Sequence, residues 1–378
     1  MFRKTIAGAS LGALLLVAGC TSGTTGETAQ EGGLITIGGI GPLSGDAASY
    51  GIEFQRSAEL ALADVNEAWA EKGMELKIQW EDGLCSGRDA SSAAQKLMDV
   101  NKVQVILGGF CSSETLAASA VTDPAGVLLF SSGSSSPDVT DAGEYVFRNW
   151  PSDSFQGELM AELANDLGYK SIGIITEQQD YTFGISKVLT QRFEELGGAT
   201  VEESFISDEN DFKTQLTRLK GADVDVIFLN AQTPTKGEVV IKQMKELGFE
   251  GPFLINDAIG TYNQFLQNNA EYIEGSYTAT LNVDEGREGI SMFKESYMTA
   301  HNEEANFLGY NATTYDAVWL LANAIEAVGN DGEAVRQYLN DLSDYEGIMG
   351  PISFDENGDP QVGHSVFMIQ GGEMVLAE

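Results

Sequence analysis

From Leu34 onward, short β-branched apolar runs alternate with stretches in which apolar residues recur at every third or fourth position. The runs suit strands buried on both faces and the periodic stretches suit helices that cover them, so the pattern predicts βαβ units and a parallel sheet. In the first half the reading is strand 34–40, helix 51–71, strand 75–81, helix 88–101, strand 103–107, helix 113–122 and strand 126–130. A second series follows with helix 155–167, strand 171–175, helix 183–196, strand 200–205, helix 212–219, strand 224–229, helix 235–247 and strand 252–255. After Ile273 the alternation weakens into helices at 288–301, 311–328 and 332–341 and a hairpin-like end marked by Gly350-Pro351 and Asn357-Gly358-Asp359-Pro360. Two similar α/β halves and a late mixed segment predict lobes that exchange chain more than once. Ligands of open α/β sheets sit beyond the carboxyl ends of the strands, which puts a site in the cleft between the lobes.

The N-terminus changes the expected compartment. Arg3 and Lys4 precede an apolar run from Ile6 to Ala18, which ends in Val17-Ala18-Gly19-Cys20. The run is short of the roughly 20 apolar residues of a spanning helix, so residues 1–20 are expected to be a secretory signal. Small residues directly before Cys20 resemble the bacterial lipobox, in which that cysteine receives a lipid; the alternative is an ordinary signal peptide with an incidental cysteine. Residues 21–33 are rich in Ser, Thr and Gly without apolar periodicity and read as a flexible tether. The folded body is then exported, lipid-anchored to a membrane, and faces the periplasm or cell exterior.

Charge and cysteines narrow the partners. With 57 acidic and 21 basic residues the formal charge is −36, which repels phosphate backbones and makes nucleic acid an unexpected partner. Once Cys20 is assigned to lipid, Cys85 and Cys111 remain, an even pair in an exported chain, and are expected to be bridged. The alternative is two buried free thiols.

Catalytic motifs fail on inspection. Two histidines, His301 and His364, are far apart in sequence, and the only G-x-S-x-G, Gly8 to Gly12, lies in the signal segment. Gly38 to Gly45 follows a strand and precedes a helix, but Ser44 stands where a dinucleotide fingerprint needs its last glycine and Pro42 interrupts the loop. Asp355 to Asp359 resembles the start of a calcium loop, yet its glycine is misplaced and the twelfth position is Val366. We expect no enzyme, no cofactor and no metal. Polar residues at strand carboxyl ends stand out instead. Ser112 opens a helix after strand 103–107, where the first helical N–H groups suit an anion, although N-capping alone also accounts for it. Gly133 and Ser135 follow the next strand and otherwise form a plain turn. Asp257 follows strand 252–255, where a carboxylate suits a ligand cation or caps a helix. Tyr50 and Tyr181 each lie just after a strand.

The segments Ile37-Gly-Gly-Ile-Gly-Pro-Leu-Ser-Gly45, Tyr50-Gly51, Ala63-Asp-Val-Asn66, Glu81-Asp82-Gly-Leu-Cys85, Gly108-Gly-Phe-Cys-Ser-Ser113 and Gly133-Ser-Ser-Ser-Pro137 resemble the leucine/isoleucine/valine-binding proteins of ABC importers. The resemblance continues in order through Gln179-Asp-Tyr181, Asp211-Phe212, Gly248-Phe249, Thr313-Thr-Tyr-Asp316 and Met349-Gly-Pro351. It implies an α/β chain with the type I periplasmic-binding fold: two Rossmann-like lobes, a ligand cleft between them and three crossover segments. Lobe 1 would take residues 34–151 plus 281–363 and lobe 2 residues 152–280 plus 364–378. The pair matching Cys85 and Cys111 is a disulfide in that family. Ser112 and Ser135 would hold a ligand carboxylate, and the Gly133 carbonyl and Asp257 would accept from an α-ammonium. Phe110, Tyr50 and Tyr181 would wall the side-chain pocket. Two positions depart from the family: Asp257 replaces a commoner Glu, and Gln232 stands where an aromatic residue is frequent. With Asn256, Gln232 would favour a somewhat polar amino acid. The implied partners are a small amino acid, branched-chain or otherwise aliphatic, and ABC permease subunits, with the chain acting as a monomer. The rival expectations are a sensory receptor, or an importer component for an amide, urea or short carboxylate.

Overall fold

The computed structural model describes residues 33–343 and 345–377. The signal segment 1–20, the lipidation residue Cys20 and all but the last residue of the tether 21–33 lie outside the described residues. The first series runs β1 (Leu34–Gly41), α1 (Ala48–Trp69), β2 (Glu75–Asp82), α2 (Gly87–Asp99), β3 (Val105–Leu107), α3 (Ser112–Thr122), β4 (Leu128–Ser131) and β5 (Val146–Arg148). The second runs α4 (Asp153–Asp166), β6 (Ser171–Glu177), α5 (Asp180–Glu195), β7 (Ala199–Phe205), α6 (Lys213–Gly221), β8 (Val226–Asn230), α7 (Pro234–Glu246), β9 (Leu254–Ile255), α8 (Asp257–Gly260), α9 (Asn263–Asn269) and β10 (Tyr277–Leu281). The chain ends with α10 (Glu288–His301), α11 (Leu308–Val328), α12 (Gly332–Asn340), β11 (Tyr345–Gly347), β12 (Gly350–Ile352), β13 (His364–Gln370) and β14 (Glu373–Leu376).

Two sheets result. The first has strand order β2-β1-β3-β4-β5, and the second β14-β13-β10-β9-β8-β6-β7. All pairings in the first sheet are parallel, while β13 joins β10 and β14 antiparallel at one edge of the second. Helices α10 and α11 pack on α1 of the first half, so the chain crosses between halves three times: after β5, after β10 and before β13. The late loss of alternation in the sequence is this return of the chain. Among the described residues, no helix is long and apolar enough to cross a membrane.

Several elements escaped the sequence pattern. β5 has three residues, α8 has four, and β10 is Tyr-Thr-Ala-Thr-Leu, whose Thr278 and Thr280 are buried although polar. β9 begins at Leu254 rather than at residue 252, because Pro252 has no N–H to give a ladder.

The strand order explains how Cys85 and Cys111 meet. β2 and β3 flank β1, roughly 10 Å apart at ~4.8 Å per strand spacing, so the loops after them must lean over β1. They do, and the two cysteines are joined with their Cα atoms 5.4 Å apart. The buried Glu114 side chain fastens both loops, accepting from the N–H groups of Cys85 at 2.9 Å and of Phe110 and Cys111 at 3.0 Å each. Burial still pushes its carboxyl up to about 7 against those three donors.

Candidate ligand-binding site

Ser112 is the first residue of α3, and its Oγ accepts from the N–H groups of Ser135 at 3.3 Å and Ser136 at 3.1 Å. With its lone pairs facing those donors, its own proton is free to point at a ligand. The loop after β4 is held by its other hydroxyls. Ser131 Oγ donates to the Gly109 carbonyl at 2.6 Å, Ser134 Oγ pairs with Thr115 Oγ1 at 2.7 Å, and Ser132 Oγ pairs with Thr314 Oγ1 at 2.8 Å. Arg148, fully buried, clamps the same loop from behind, donating through Nη1 to the carbonyls of Ser136 at 2.8 Å and Ser134 at 3.3 Å. Its remaining donors grip Asp359 bidentately at 2.6 and 2.8 Å and reach Thr140 Oγ1 at 2.9 Å. A guanidinium so engaged fixes loop geometry and has no donor left for a carboxylate in the cleft. Gly133 is required at its place because a Cβ there would lie 2.8 Å from the Phe110 ring.

The two halves touch across this loop. Tyr50, on α1, donates its hydroxyl to the Ala258 carbonyl of α8 at 2.7 Å. Gly51 lets α1 start hard against the preceding loop, since a Cβ there would sit 2.0 Å from the Pro42 carbonyl oxygen. Asp257, the first residue of α8, is fully buried, and both its oxygens accept from tyrosine hydroxyls: Oδ1 from Tyr181 at 2.6 Å and Oδ2 from Tyr310 at 2.9 Å. None of the ion pairs among the described residues includes Asp257. Tyr50, Phe110, Ser112, Gly133, Ser135, Tyr181 and Gln232 line one small, nearly closed cavity, with Cys111, Ala258 and Tyr310 completing the wall. Seven of the eight residues expected to contact a ligand thus share a surface, and Asp257 stands just behind it on the tyrosine hydroxyls.

Tyr310 was missed in the sequence, although it lies three residues before the Thr313-Thr-Tyr-Asp316 segment. Its ring stacks on Trp150 with centroids 3.8 Å apart and planes 14° apart. On the far side of that stack lies a roomier, more open hollow, whose apolar lining includes Leu281, Val283, Leu308 and Phe367. It shares Tyr310 with the smaller cavity, but its other polar lining is exposed side chains such as Asn282, Glu285 and Glu295, whereas the serine loop and the hydroxyls of Tyr50 and Tyr181 converge on the smaller one.

The cleft is electrostatically one-sided. The hydroxyls of Tyr50, Tyr181 and Tyr310 are all held well above the ordinary phenol range, first by burial and next by the Asp257 charge. They therefore act as neutral donors. Glu177, which accepts from the Gln232 N–H at 2.8 Å, is also raised by burial. Among the described residues no three His, Cys, Asp or Glu side chains are grouped to hold a metal.

The sequence profile of the periplasmic binding protein family matches residues 34–373. The chain belongs to that family, in the type that includes the Leu/Ile/Val-binding proteins. The Leu/Ile/Val-binding protein of Escherichia coli is 27% identical over 331 residues, 86% of this chain and 88% of the relative. The crystal structure of a leucine binding protein from Thermotoga maritima superposes with TM-score 0.81 at 27% identity, covering 91% of this chain and 98% of the other. The branched-chain amino acid transporter substrate binding protein of Streptococcus pneumoniae, in complex with isoleucine, gives 0.79 at 26% identity over 92% and 99%. The chain is therefore a solute-binding protein with the type I periplasmic-binding fold of these relatives.

Proposed function

We propose that this chain is the extracytoplasmic substrate-binding lipoprotein of an ABC importer and captures a small aliphatic amino acid between its lobes. The observation that carries the reading is Asp257: a fully buried carboxylate, held by two tyrosine hydroxyls and, among the described residues, by no cation. A buried charge needs a compensating charge, and the α-ammonium of an amino acid supplies one. The ligand carboxylate meets the Ser112 hydroxyl and the Ser135 N–H, the ammonium meets Asp257 and the Gly133 carbonyl, and Tyr50, Phe110, Tyr181 and Gln232 surround the side chain. Lobe 1 is assigned residues 34–151 plus 281–363, lobe 2 residues 152–280 plus 364–378. Both close on the ligand as a monomer tethered through Cys20, and the closed form docks on the permease. No covalent step is involved.

The test is a thermal-shift screen of the twenty amino acids on the fragment beginning at residue 33, with propionamide, urea and isovalerate alongside. A ligand at 100 times its dissociation constant adds about 2.7 kcal/mol to stability. Stabilisation by aliphatic amino acids supports the reading; stabilisation only by the amides or by isovalerate overturns it.

A further inference from the structure

Gln232 lies in the short loop between β8 and α7, and its backbone is held from several sides. Its N–H donates to Glu177 at 2.8 Å, and its carbonyl accepts from the Tyr50 hydroxyl of the other half at 3.3 Å. Thr233 next to it caps α7, accepting from the Lys236 N–H at 3.2 Å, and Pro234 is the first helical residue. The side chain is treated differently. Gln232 is only 8% exposed and borders the ligand cavity, yet its amide makes no hydrogen bond among the described residues.

No neighbour can stand in for that amide. Asn256, expected to share its role, is spent: its Nδ2 donates to Asn230 Oδ1 and to the Ala231 carbonyl, both at 2.9 Å, and its Oδ1 accepts from the Ile259 N–H at 3.3 Å. In the rest of the side-chain wall, Tyr181 has given its proton to Asp257 and Tyr50 to the Ala258 carbonyl, while Phe110 has none to give. The Gln232 amide, with one acceptor oxygen and two N–H donors, is therefore the unspent polar group at this end of the cavity.

A hydrocarbon side chain enclosed here covers the amide without pairing it, and a buried polar group left unpaired costs more than a made hydrogen bond gains. A hydroxyl both donates and accepts, so it pairs the amide through either its oxygen or its nitrogen. Valine and threonine have nearly the same shape and differ by a hydroxyl in place of a methyl. Size does not choose between them in this cavity, and hydrogen bonding does.

We propose that Gln232 is a specificity-determining residue whose amide pairs a β-hydroxyl of the ligand, so that the site prefers threonine to the isosteric valine. The inference rests on the amino-acid reading above and narrows it to a side chain branched at Cβ and aliphatic apart from one hydroxyl. Both ligands start from the same empty protein and end in the same closed one. The ratio of their affinities thus cancels the free energy of lobe closure and reports the contact with the side chain.

The measurement is calorimetric titration of L-threonine and L-valine against the native protein and Gln232→Met, which keeps the length of the side chain and removes its amide. The native protein is expected to bind threonine roughly 10- to 100-fold more tightly than valine. In Gln232→Met the two affinities should come within about threefold of each other, or reverse. General damage to the site weakens both ligands alike and leaves the ratio unmoved, so the ratio separates recognition from structure. If no amino acid binds the native protein, the function proposed above falls. If amino acids bind but valine matches threonine, or neither of these two is among them, that function stands and this inference falls. It falls equally if the native preference survives in Gln232→Met. Should circular dichroism show that variant unfolded, Gln232→Leu takes its place under the same criteria.

Discussion

Tyr310 on α11 donates its hydroxyl to Oδ2 of Asp257 on α8 at 2.9 Å, so one hydrogen bond spans the two halves of the molecule at the cavity wall. Hydrogen bonds to charged groups contribute about 1.5–3 kcal/mol. Phe at position 310 keeps the stack on Trp150 and removes only this tie between the lobes. Tyr310→Phe is therefore expected to weaken ligand binding roughly 10- to 100-fold, mainly through faster dissociation, because closure follows encounter. Stopped-flow fluorescence of the nearby tryptophan reads both rates. An unchanged dissociation rate would mean that the bond does not hold the closed form.

The bridge between Cys85 and Cys111 closes a loop with a sequence separation of 26. Loop-closure entropy then gives about 3–4 kcal/mol of stability. The Cys85→Ala/Cys111→Ala double variant should lose that amount in urea denaturation while keeping its secondary structure, since Glu114 still fastens both loops through three N–H bonds. In the native protein both thiols should resist alkylation until reductant is added.

The legible part of this fold is the part that depends on neighbours in sequence. β1, β6 and β8 are buried apolar runs and α1, α5 and α7 carry one apolar face, so period and propensity found them within a few residues. Ser112, Ser135 and Asp257 were legible as polar residues beyond strand ends, a position fixed by topology. What the sequence hid are polar groups whose partners are remote. Arg148 pairs with Asp359 across 211 residues and Tyr310 reaches Asp257 across 53, so neither shows a local signature. Asp153 reads as an ordinary helix-start acid until its burial is known. β10 hides because Thr278 and Thr280 look polar yet lie under α4 and α8.

His364 gives the acid limb of stability a definite sign. Both its ring nitrogens are buried without partners, and burial lowers its pKa from 6.5 to about 4, with Arg148 adding to the effect and Asp257 opposing it. Between pH 4 and 6.5 the unfolded chain binds the proton that the folded chain refuses, so stability falls as the pH drops through that window. The shift corresponds to at most about 3 kcal/mol. Denaturant titrations at pH 7 and pH 4.5 should show a smaller loss for His364→Gln than for the native protein. Equal losses would place the acid sensitivity elsewhere.

Cys20→Ala tests the anchor. If Cys20 is the lipidated mature N-terminus, the native protein from cells partitions into detergent and carries a diacylglyceryl mass on that residue. The variant should then be uncleaved or released, without lipid. Recovery of lipid on the Cys20→Ala chain would sink the lipobox reading.

Asp257→Asn separates an ammonium ligand from its rivals. In the closed structure Asp257 is fully buried. Neutralising it removes an uncompensated charge from the empty closed form, so the ligand-free variant should be at least as thermally stable as the native protein. Affinity should move the other way. Truncating one partner of a buried charged pair costs about 2–5 kcal/mol, roughly 30-fold to several thousand-fold in affinity for the best amino acid. These opposite signs distinguish loss of a binding charge from damage to the fold. The comparison gains force with 4-methylpentanoate, which is leucine without its ammonium. The native protein should bind it far more weakly than leucine, since Asp257 then faces apolar carbon uncompensated. In Asp257→Asn the gap between the two ligands should shrink toward zero, because the variant has no charge for the ammonium to meet. A gap of the same size in both proteins would show that the ammonium is held elsewhere in the cleft.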